Sequence, residues 1–337
     1  MAVVMRCMAH RYDYSHDSLR NYPVRMMHIY KKICIINRSI SLTEDAMRFG
    51  IVVNEDKDPD FSFSSYAIDV ILSKGCEVVL DNRYQGTSLA EKEGTTLGDY
   101  SSCVILFSMG GDGTFLRAAH KYLDCKVPLI GVNLGSIGFL TEIQKEDFED
   151  AVDRLIAGKY TLENRTQLDV TLCSEDGTVK EHGLCLNDAV IARGVNMHVV
   201  NLDLLIDHDY VERLSGDGVI LSTAMGSTAY CLAAGGPIVK PELDVFMVTP
   251  ICPHTLHNRS YIVSGDSEIE INIGRFTDVP VLSLDGRPNI MLEYHDRIIL
   301  KKSENPVVVA RIGYKNFYQT VRQKIRARGS FYEDGEK

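Results

Sequence analysis

The chain is expected to fold as an α/β N-terminal domain on a mostly parallel sheet, followed by a β-rich antiparallel C-terminal domain. Three observations carry that expectation. From Met47 onward, apolar runs that suit strands alternate with segments of helical periodicity, the pattern of a parallel sheet covered by helices. One of these strands empties into Gly110-Gly-Asp-Gly-Thr114, and such strand-to-helix junctions lie at the carboxyl end of the sheet. After Gly158 the pattern changes to short Val-, Ile- and Leu-rich runs separated by polar turns such as Glu175-Asp-Gly-Thr178, which suits antiparallel strands.

Taken in order, residues 49–54 read as a first strand, straight after Met47. A helix over about 64–74 carries Ala67, Ile68, Ile71 and Leu72 on one face, and Gly75 ends it. A strand at 77–80 follows, and then a polar stretch, 81–100, expected to be a flexible excursion. Residues 104–107 form the central strand, the glycine turn comes next, and a helix is expected from Thr114 to about Leu123. Residues 127–133 are another buried strand, running into a second glycine-bearing turn, Leu134 to Leu140. A helix over 145–157, with Phe148, Val152, Leu155 and Ile156 on its apolar face, closes this half. In the second half strands are expected at 168–173, 190–193, 201–206, 218–222, 269–273, 281–284 and 297–301. A last helix, about 314–326, is expected to pack back on the first domain. The expected divisions are an α/β phosphate-binding domain (47–160), a β-rich domain (161–301) and a C-terminal tail (302–337).

Residues 1–46 differ from the rest. They hold seven Lys/Arg against four Asp/Glu, whereas the whole chain holds 36 against 46. They show no sustained periodicity and are expected to be an extension, either disordered or an artefact of the assigned start, with Met47 as the true or ancestral start. No apolar run reaches the ~18 residues of a membrane span, and the first residues lack the apolar core of a signal peptide. Nine cysteines, without any Cys-x-x-Cys pair, read as reduced thiols in a cytoplasmic protein. A net charge of −10 argues against a general nucleic-acid binder.

The chemistry is concentrated at the first glycine turn. Gly110, Gly111 and Gly113 let backbone N–H groups approach an anion, and the helix that follows directs its positive end to the same spot. Thr114 opens that helix. Asp112 is a misfit in an anion cradle unless its carboxylate holds the hydroxyl that attacks a phosphoryl group, or a metal riding on the phosphates. The plain alternative is a tight β-α turn with an Asp capping the helix. The turn is neither a Gly-x-Gly-x-x-Gly dinucleotide fingerprint nor a P-loop. Two further stretches stand out. Asn187 and Asp188 form a polar pair ahead of a strand, and residues 215–237 pack a carboxylate, five serine and threonine residues, Tyr230 and five glycines into one segment. Hydroxyls and exposed backbone there suit a purine edge and ribose hydroxyls.

Together these strings resemble the NAD kinase family over roughly 47–326: Gly110 to Thr114, Gly131 to Phe139, Asn187-Asp188, Gly216 to Pro237, Thr249 to His254 and Leu284-Asp-Gly286. Gly-Gly-Asp-Gly alone also occurs in lipid kinases and phosphofructokinases. The resemblance implies transfer of a phosphoryl group from ATP, or from inorganic polyphosphate, to the 2′-hydroxyl of the adenosine ribose of NAD. A divalent cation, Mg2+ or Mn2+, would ride on the phosphates with no protein metal site. By the same resemblance Asp112 is the base or orienter for the hydroxyl, and Gly110, Gly111, Gly113 and Thr114 bind phosphate. Phe139 and Tyr230 would flank the adenine, and Asn187 and Asp188 would hold ribose hydroxyls and the adenine edge. Asp217, Thr228 and Ala229 would complete the adenine pocket. A homodimer or homotetramer is implied, with neither nucleic acid nor membrane as partner. The sequence departs from the family where it usually has Thr-Pro-Thr-Gly-Ser-Thr-Ala-Tyr: here Ala224 and Met225 replace the Pro and the second Thr. Asp188 replaces a frequent Glu, and Ser260 a frequent Pro.

Overall fold

The structure, a computed structural model, describes residues 46–135, 138–196, 198–255, 259–314 and 316–329. All but the last residue of the expected 1–46 extension lies outside them. The first elements are β1 (Arg48–Val53), α1 (Ser62–Ser73), β2 (Glu77–Leu80), β3 (Thr95–Leu97), β4 (Ile105–Gly110) and α2 (Asp112–Lys121). Next come β5 (Leu129–Asn133), β6 (Thr141–Gln144), α3 (Phe148–Ile156) and β7 (Thr161–Arg165). The chain continues through β8 (Leu168–Cys173), β9 (Val179–Cys185), β10 (Asp188–Ala192), β11 (Val200–Ile206), β12 (Asp209–Gly216) and β13 (Gly218–Thr223). A single helical turn, α4 (Tyr230–Ala233), precedes β14 (Val245–Ile251), β15 (Tyr261–Ser264), β16 (Ile269–Ile273), β17 (Val281–Leu284) and β18 (Ile290–Met291). The last elements are β19 (Arg297–Lys302), β20 (Val307–Arg311) and α5 (Phe317–Gly329).

The first sheet runs β3-β2-β1-β4-β5-β20-β7, with β6 beside β5, and every pairing in it is parallel except β20 with β7. Strand order reverses between β1 and β4, so the loops that leave them lie side by side at the carboxyl end, where open sheets bind ligands. Helices cover both faces, which is why the central strands are apolar on both sides. Phe49, Ile51 and Phe107 pack with Ile68, Ile71 and Phe148 on one face, and the Phe107 and Phe148 rings lie 5.2 Å apart. Val52 and Leu106 pack with Phe115 and Ala118 on the other.

Two outcomes differ from the sequence expectation. Residues 81–100 are pinned, not a loose excursion: Tyr84, Leu89 and Tyr100 are fully buried. The Tyr84 hydroxyl accepts the Val53 N–H at 2.8 Å, and the Tyr100 hydroxyl donates to the Ile51 carbonyl at 2.7 Å. Three side chains anchor a stretch whose composition is polar, which averaged hydropathy hides. The expected break after residue 160 falls before β7, which belongs to the first sheet through β20.

The second domain packs two antiparallel sheets, β15-β14-β13-β10-β17-β18 and β12-β11-β16-β19-β8-β9, face to face. Val170, Leu202, Val219, Leu221, Ile271 and Ile298 point inward from the two sheets and share one core. β13 is buried along its whole length, because Ile220 on its other face joins Cys231 and Met247 beneath α4. Leu186 and Met225 leave this domain to join Phe115 and Ala118 of the first. No helix among the described residues is long and apolar enough to cross a membrane.

Candidate active site

The central strand runs further than its apolar letters suggest. The apolar run ends at Phe107, but Ser108, Met109 and Gly110 still pair with β1 or β5. The helix consequently opens at Asp112, two residues before Thr114, with Gly111 as its extended N-cap. Gly110 is required by close packing: a Cβ there would strike the Thr114 hydroxyl. That hydroxyl accepts from Asn54 Nδ2 at 2.8 Å, tying the loop after β1 to the first turn of α2.

Asp112 is reconciled with its surroundings by the second glycine turn. Its Oδ2 accepts the Phe139 N–H and its Oδ1 the Leu140 N–H, both at 2.9 Å. Gly138 lies against it so closely that a Cβ would collide with Oδ1. Lys324 on α5 places its ammonium 3.5 Å from Oδ2 and 4.3 Å from the centre of the Phe139 ring. Glu142, only 2% exposed, sets that approach. Its carboxylate accepts the N–H groups of Ile312, Gly313 and Tyr314 and pairs with Arg311, fixing the connection into α5. A carboxylate has about four lone-pair sites, so these partners leave Asp112 room for a further donor.

The second wall comes from β10. Asp188 begins that strand, pairs in register with Ser222 and is 6% exposed. Burial, and then the charge of Asp285, raise its carboxyl to about 7. Asp285 occupies a left-handed turn after β17 and binds the whole segment ahead of Asp188. Its carboxylate accepts the N–H groups of Leu186 (2.6 Å), Asn187 (2.9 Å) and Asp188 (2.8 Å). The remaining contact is His120 Nε2 on α2, 2.6 Å from Oδ2. Neither Asp285 nor His120 is among the site residues expected from the sequence. The available signal is helical: Gly113, Arg117 and His120 share one face of α2.

Asn187 turns its carbonyl to the Thr223 N–H at 2.9 Å, and Gly226 packs against it with no space for a Cβ. The Asn187 Oδ1 is buried without a partner among the described residues. Met225 to Thr228 form a 3-10 turn. Phe139, Leu140, Met225 and Thr228 line a 40 Å³ cavity closed by Phe317 and Thr320 of α5. An open groove of 940 Å³ runs along α2 past Asn54, Arg83, Thr114, Arg117, His120 and Asp285, within the size range of small-molecule sites.

Most of the expected residues therefore converge. Gly110, Gly111, Asp112, Gly113 and Thr114 form one turn, and Phe139 closes on Asp112. Asn187 and Asp188 connect to α2 through Asp285, and Thr228 ends and Ala229 follows the turn packed on Asn187. Tyr230 stands at the rim, 47% exposed. Asp217 does not join them within one chain. It precedes β13, whereas the Thr228 turn follows that strand, and six residues of extended chain put the two ends ~20 Å apart. Its carboxylate pairs with Arg193 at 2.8 Å. Among the described residues no three His, Cys, Asp or Glu side chains cluster as a metal site.

A parallel sheet with a Gly-Gly-Asp-Gly turn at its switch point, joined to a β-sandwich that supplies a buried carboxylate wall, defines a two-domain nucleotide-type kinase architecture. The comparisons make this specific. Residues 49–160 match the ATP-NAD kinase N-terminal domain and residues 186–312 the ATP-NAD kinase C-terminal domain. The chain belongs to the ATP-NAD kinase family. It is 37% identical over 287 residues to an NAD kinase of Acetivibrio thermocellus, covering 84% of this chain and 98% of that one. Against an NAD kinase of Desulforamulus reducens it is 36% identical over 259 residues, covering 77% and 87%. Among solved structures it is similar to a yeast NADH kinase complexed with NADH, with TM-score 0.74, 25% identity and 86% and 91% of the two chains covered. It is also similar to an Archaeoglobus fulgidus NAD kinase in complex with ATP, with TM-score 0.61, 25% identity and 83% and 99% covered.

Proposed function

We propose that this chain is an NAD kinase that transfers the γ-phosphoryl group of ATP to the 2′-hydroxyl of the adenosine ribose of NAD, making NADP. Family membership supports the reaction, and one observation carries the assignment of roles. Asp112 stands at the positive end of α2 with its carboxylate steered by the Phe139 and Leu140 amides. The 2′-hydroxyl donates to that carboxylate and is thereby oriented. As the O2′–Pγ bond forms, the bond from Pγ to the bridging β,γ oxygen breaks, ADP leaves, and the hydroxyl proton passes to Asp112. A ribose hydroxyl is a weak nucleophile, so alignment contributes most, and a positioned base adds ~10²–10⁴-fold.

Gly110, Gly111, Gly113 and Thr114 form the phosphate turn of this reading. The orphan Asn187 Oδ1 suits the adenine amino group or a ribose hydroxyl, because a buried acceptor without a donor is unfavourable by ~1–3 kcal/mol. Asp188 holds ribose hydroxyls beside it, and Phe139, Thr228, Ala229 and Tyr230 surround the adenine. Phe317 and Thr320 of α5 border the cavity that Phe139 and Thr228 line. Mg2+ or Mn2+ enters on the phosphates as part of the donor, and inorganic polyphosphate is the alternative donor. The enzyme acts as a homodimer or homotetramer in the cytoplasm, in NADP biosynthesis.

The test is NADP formation from NAD, ATP and magnesium, followed with a coupled NADP-specific dehydrogenase, for wild type and Asp112→Ala. Turnover in the first and a loss of ~10²-fold or more in the second supports the reading. A wild type that binds NAD but forms no NADP with either donor overturns it in favour of a dinucleotide sensor.

A further inference from the structure

We propose that Lys57, in the loop after β1, is the cation that holds the transferring phosphoryl group of the donor; this rests on the kinase reading above. The loop Glu55 to Asp60 is acidic and exposed at most positions, and a lysine within it looks like a solvated surface residue. Its geometry is different. The loop is pinned at both ends. Asn54 holds Thr114 of α2 at 2.8 Å and accepts the Lys57 and Asp58 N–H groups on its carbonyl, each at 3.0 Å. Asp58 is 4% exposed and binds the start of α1 through the N–H groups of Phe63 (3.1 Å) and Ser64 (2.8 Å). Between these pins the Lys57 side chain crosses to the glycine turns. Its Nζ lies 2.9 Å from where a Cβ at Gly111 would stand and 3.3 Å from that position at Gly135.

Both glycine turns therefore leave space for the same ammonium. Among the described residues it has no hydrogen-bond or ion-pair partner, neither Glu55 nor Asp56 of its own loop included. The lysines at 74, 92, 121, 180, 301 and 302 each pair with a carboxylate. Over Gly111 the ammonium meets the N-terminus of α2, whose first N–H groups lack partners within the helix. Positive charge is gathered there, and the Asp112 carboxylate is turned away to the second glycine turn. An anion complements that charge. NAD's pyrophosphate and the donor's phosphates share that chemistry. The donor is favoured because the group at Gly111 is one residue from the carboxylate that holds the nucleophile, and reacting atoms must come within ~3–3.5 Å. As charge redistributes over the phosphoryl oxygens, a fixed cation stabilises it without reorganisation.

The experiment compares wild type, Lys57→Met, Lys57→Arg and Lys57→Ala in ATP binding without NAD and in steady-state turnover. ATP binding is expected to weaken and kcat to fall ~10²–10³-fold in Lys57→Met, with the KM for NAD little changed and thermal stability retained. Lys57→Arg should recover part of the loss, and ethylammonium should restore turnover to Lys57→Ala. Equal ATP affinity, or a kcat within about threefold of wild type (under 1 kcal/mol of barrier), overturns the assignment. An effect confined to the KM for NAD also overturns it, in favour of NAD's pyrophosphate. A wild type that binds ATP through Lys57 yet forms no NADP would sink the kinase reading and leave this assignment standing.

Discussion

His120 and Asp285 meet across the two domains, with imidazole Nε2 2.6 Å from carboxylate Oδ2. His120 belongs to the helix that begins at Asp112, and Asp285 belongs to the β17 turn that binds the backbone of Leu186, Asn187 and Asp188. One carboxylate thus fixes the spacing between the phosphate turn and the polar pair on β10. The Asp285 side chain is 1% exposed and that of His120 19%, so water replaces neither partner readily.

Asp285→Ala would leave three N–H groups and the imidazole without their acceptor. A loss of about 3 kcal/mol in unfolding free energy is expected, because breaking a buried charged network from one side strands the other. His120→Leu removes the imidazole's hydrogen bond to Asp285 between the domains. It should raise the KM for NAD more than it lowers kcat, with a smaller change in stability. Urea unfolding and steady-state kinetics on both variants separate the two effects.

Asp188 gives the protein a pH dependence of definite sign. Its carboxyl rises from the ordinary 3.8 to about 7, chiefly through burial and then through Asp285. The folded state therefore binds a proton that the unfolded state has released between those values. Stability falls as pH rises from about 4 to about 7 and then levels off. Asp188→Asn removes the charge that must be buried at high pH. It should be more stable than wild type at pH 8, by at most about 4 kcal/mol for a carboxyl raised this far, with the difference gone below about pH 4. Urea unfolding at pH 4, 6 and 8 reads this directly; equal slopes for both proteins would refute it.

The order of strands and helices in the first domain was legible because two periodicities alternate and glycines separate them. Strands concealed by their own composition were not. β14 contains Pro250 opposite Val219, beyond the stretch that pairs with β15, so the proline lies where the strand has an open edge. β20 lies in the C-terminal tail, and only the tertiary structure brings it between β5 and β7. At the site, Asp112 was visible because a carboxylate among glycines is chemically odd. Asp285 was visible only as part of a string, and its partner is 165 residues away. Lys57 was hidden by its acidic neighbours. Asp217 and Thr228 lie at opposite ends of β13, so within one chain an extended strand separates them.

Gly138 tests the Asp112 geometry without a substitution at residue 112. A Cβ at Gly138 would collide with Asp112 Oδ1 and press on the Thr141 hydroxyl. Gly138→Ala should displace the carboxylate from the Phe139 and Leu140 amides. Because small misplacements of a reacting group can lower rates ~10²-fold, kcat should fall by about that factor, while ATP affinity, which does not depend on this contact, is retained. Gly98→Ala is the control, since nothing lies within 4 Å of its added Cβ. A Gly138→Ala enzyme with normal kcat would show that Asp112's observed position is irrelevant to turnover.

Met225 stands where the family usually has a threonine, and the fold supplies a reason. The side chain is 5% exposed and packs with Phe115 and Leu186 at the junction of the domains. The preceding Thr223 already provides the turn's internal hydroxyl: its Oγ1 donates to the Leu186 carbonyl at 2.6 Å and accepts the Gly226 N–H at 3.1 Å. A second hydroxyl at 225 would enter an apolar cluster. Met225→Thr removes buried apolar volume and adds a polar group, so it should destabilise by about 2–4 kcal/mol. Turnover at saturating NAD should stay within a few-fold of wild type, because no reacting group is displaced. Ala224→Pro alters the same turn without disturbing that cluster, which separates loss of packing from turn stiffness. If Met225→Thr is as stable as wild type in urea, the methionine is not the interdomain packing element that its burial indicates.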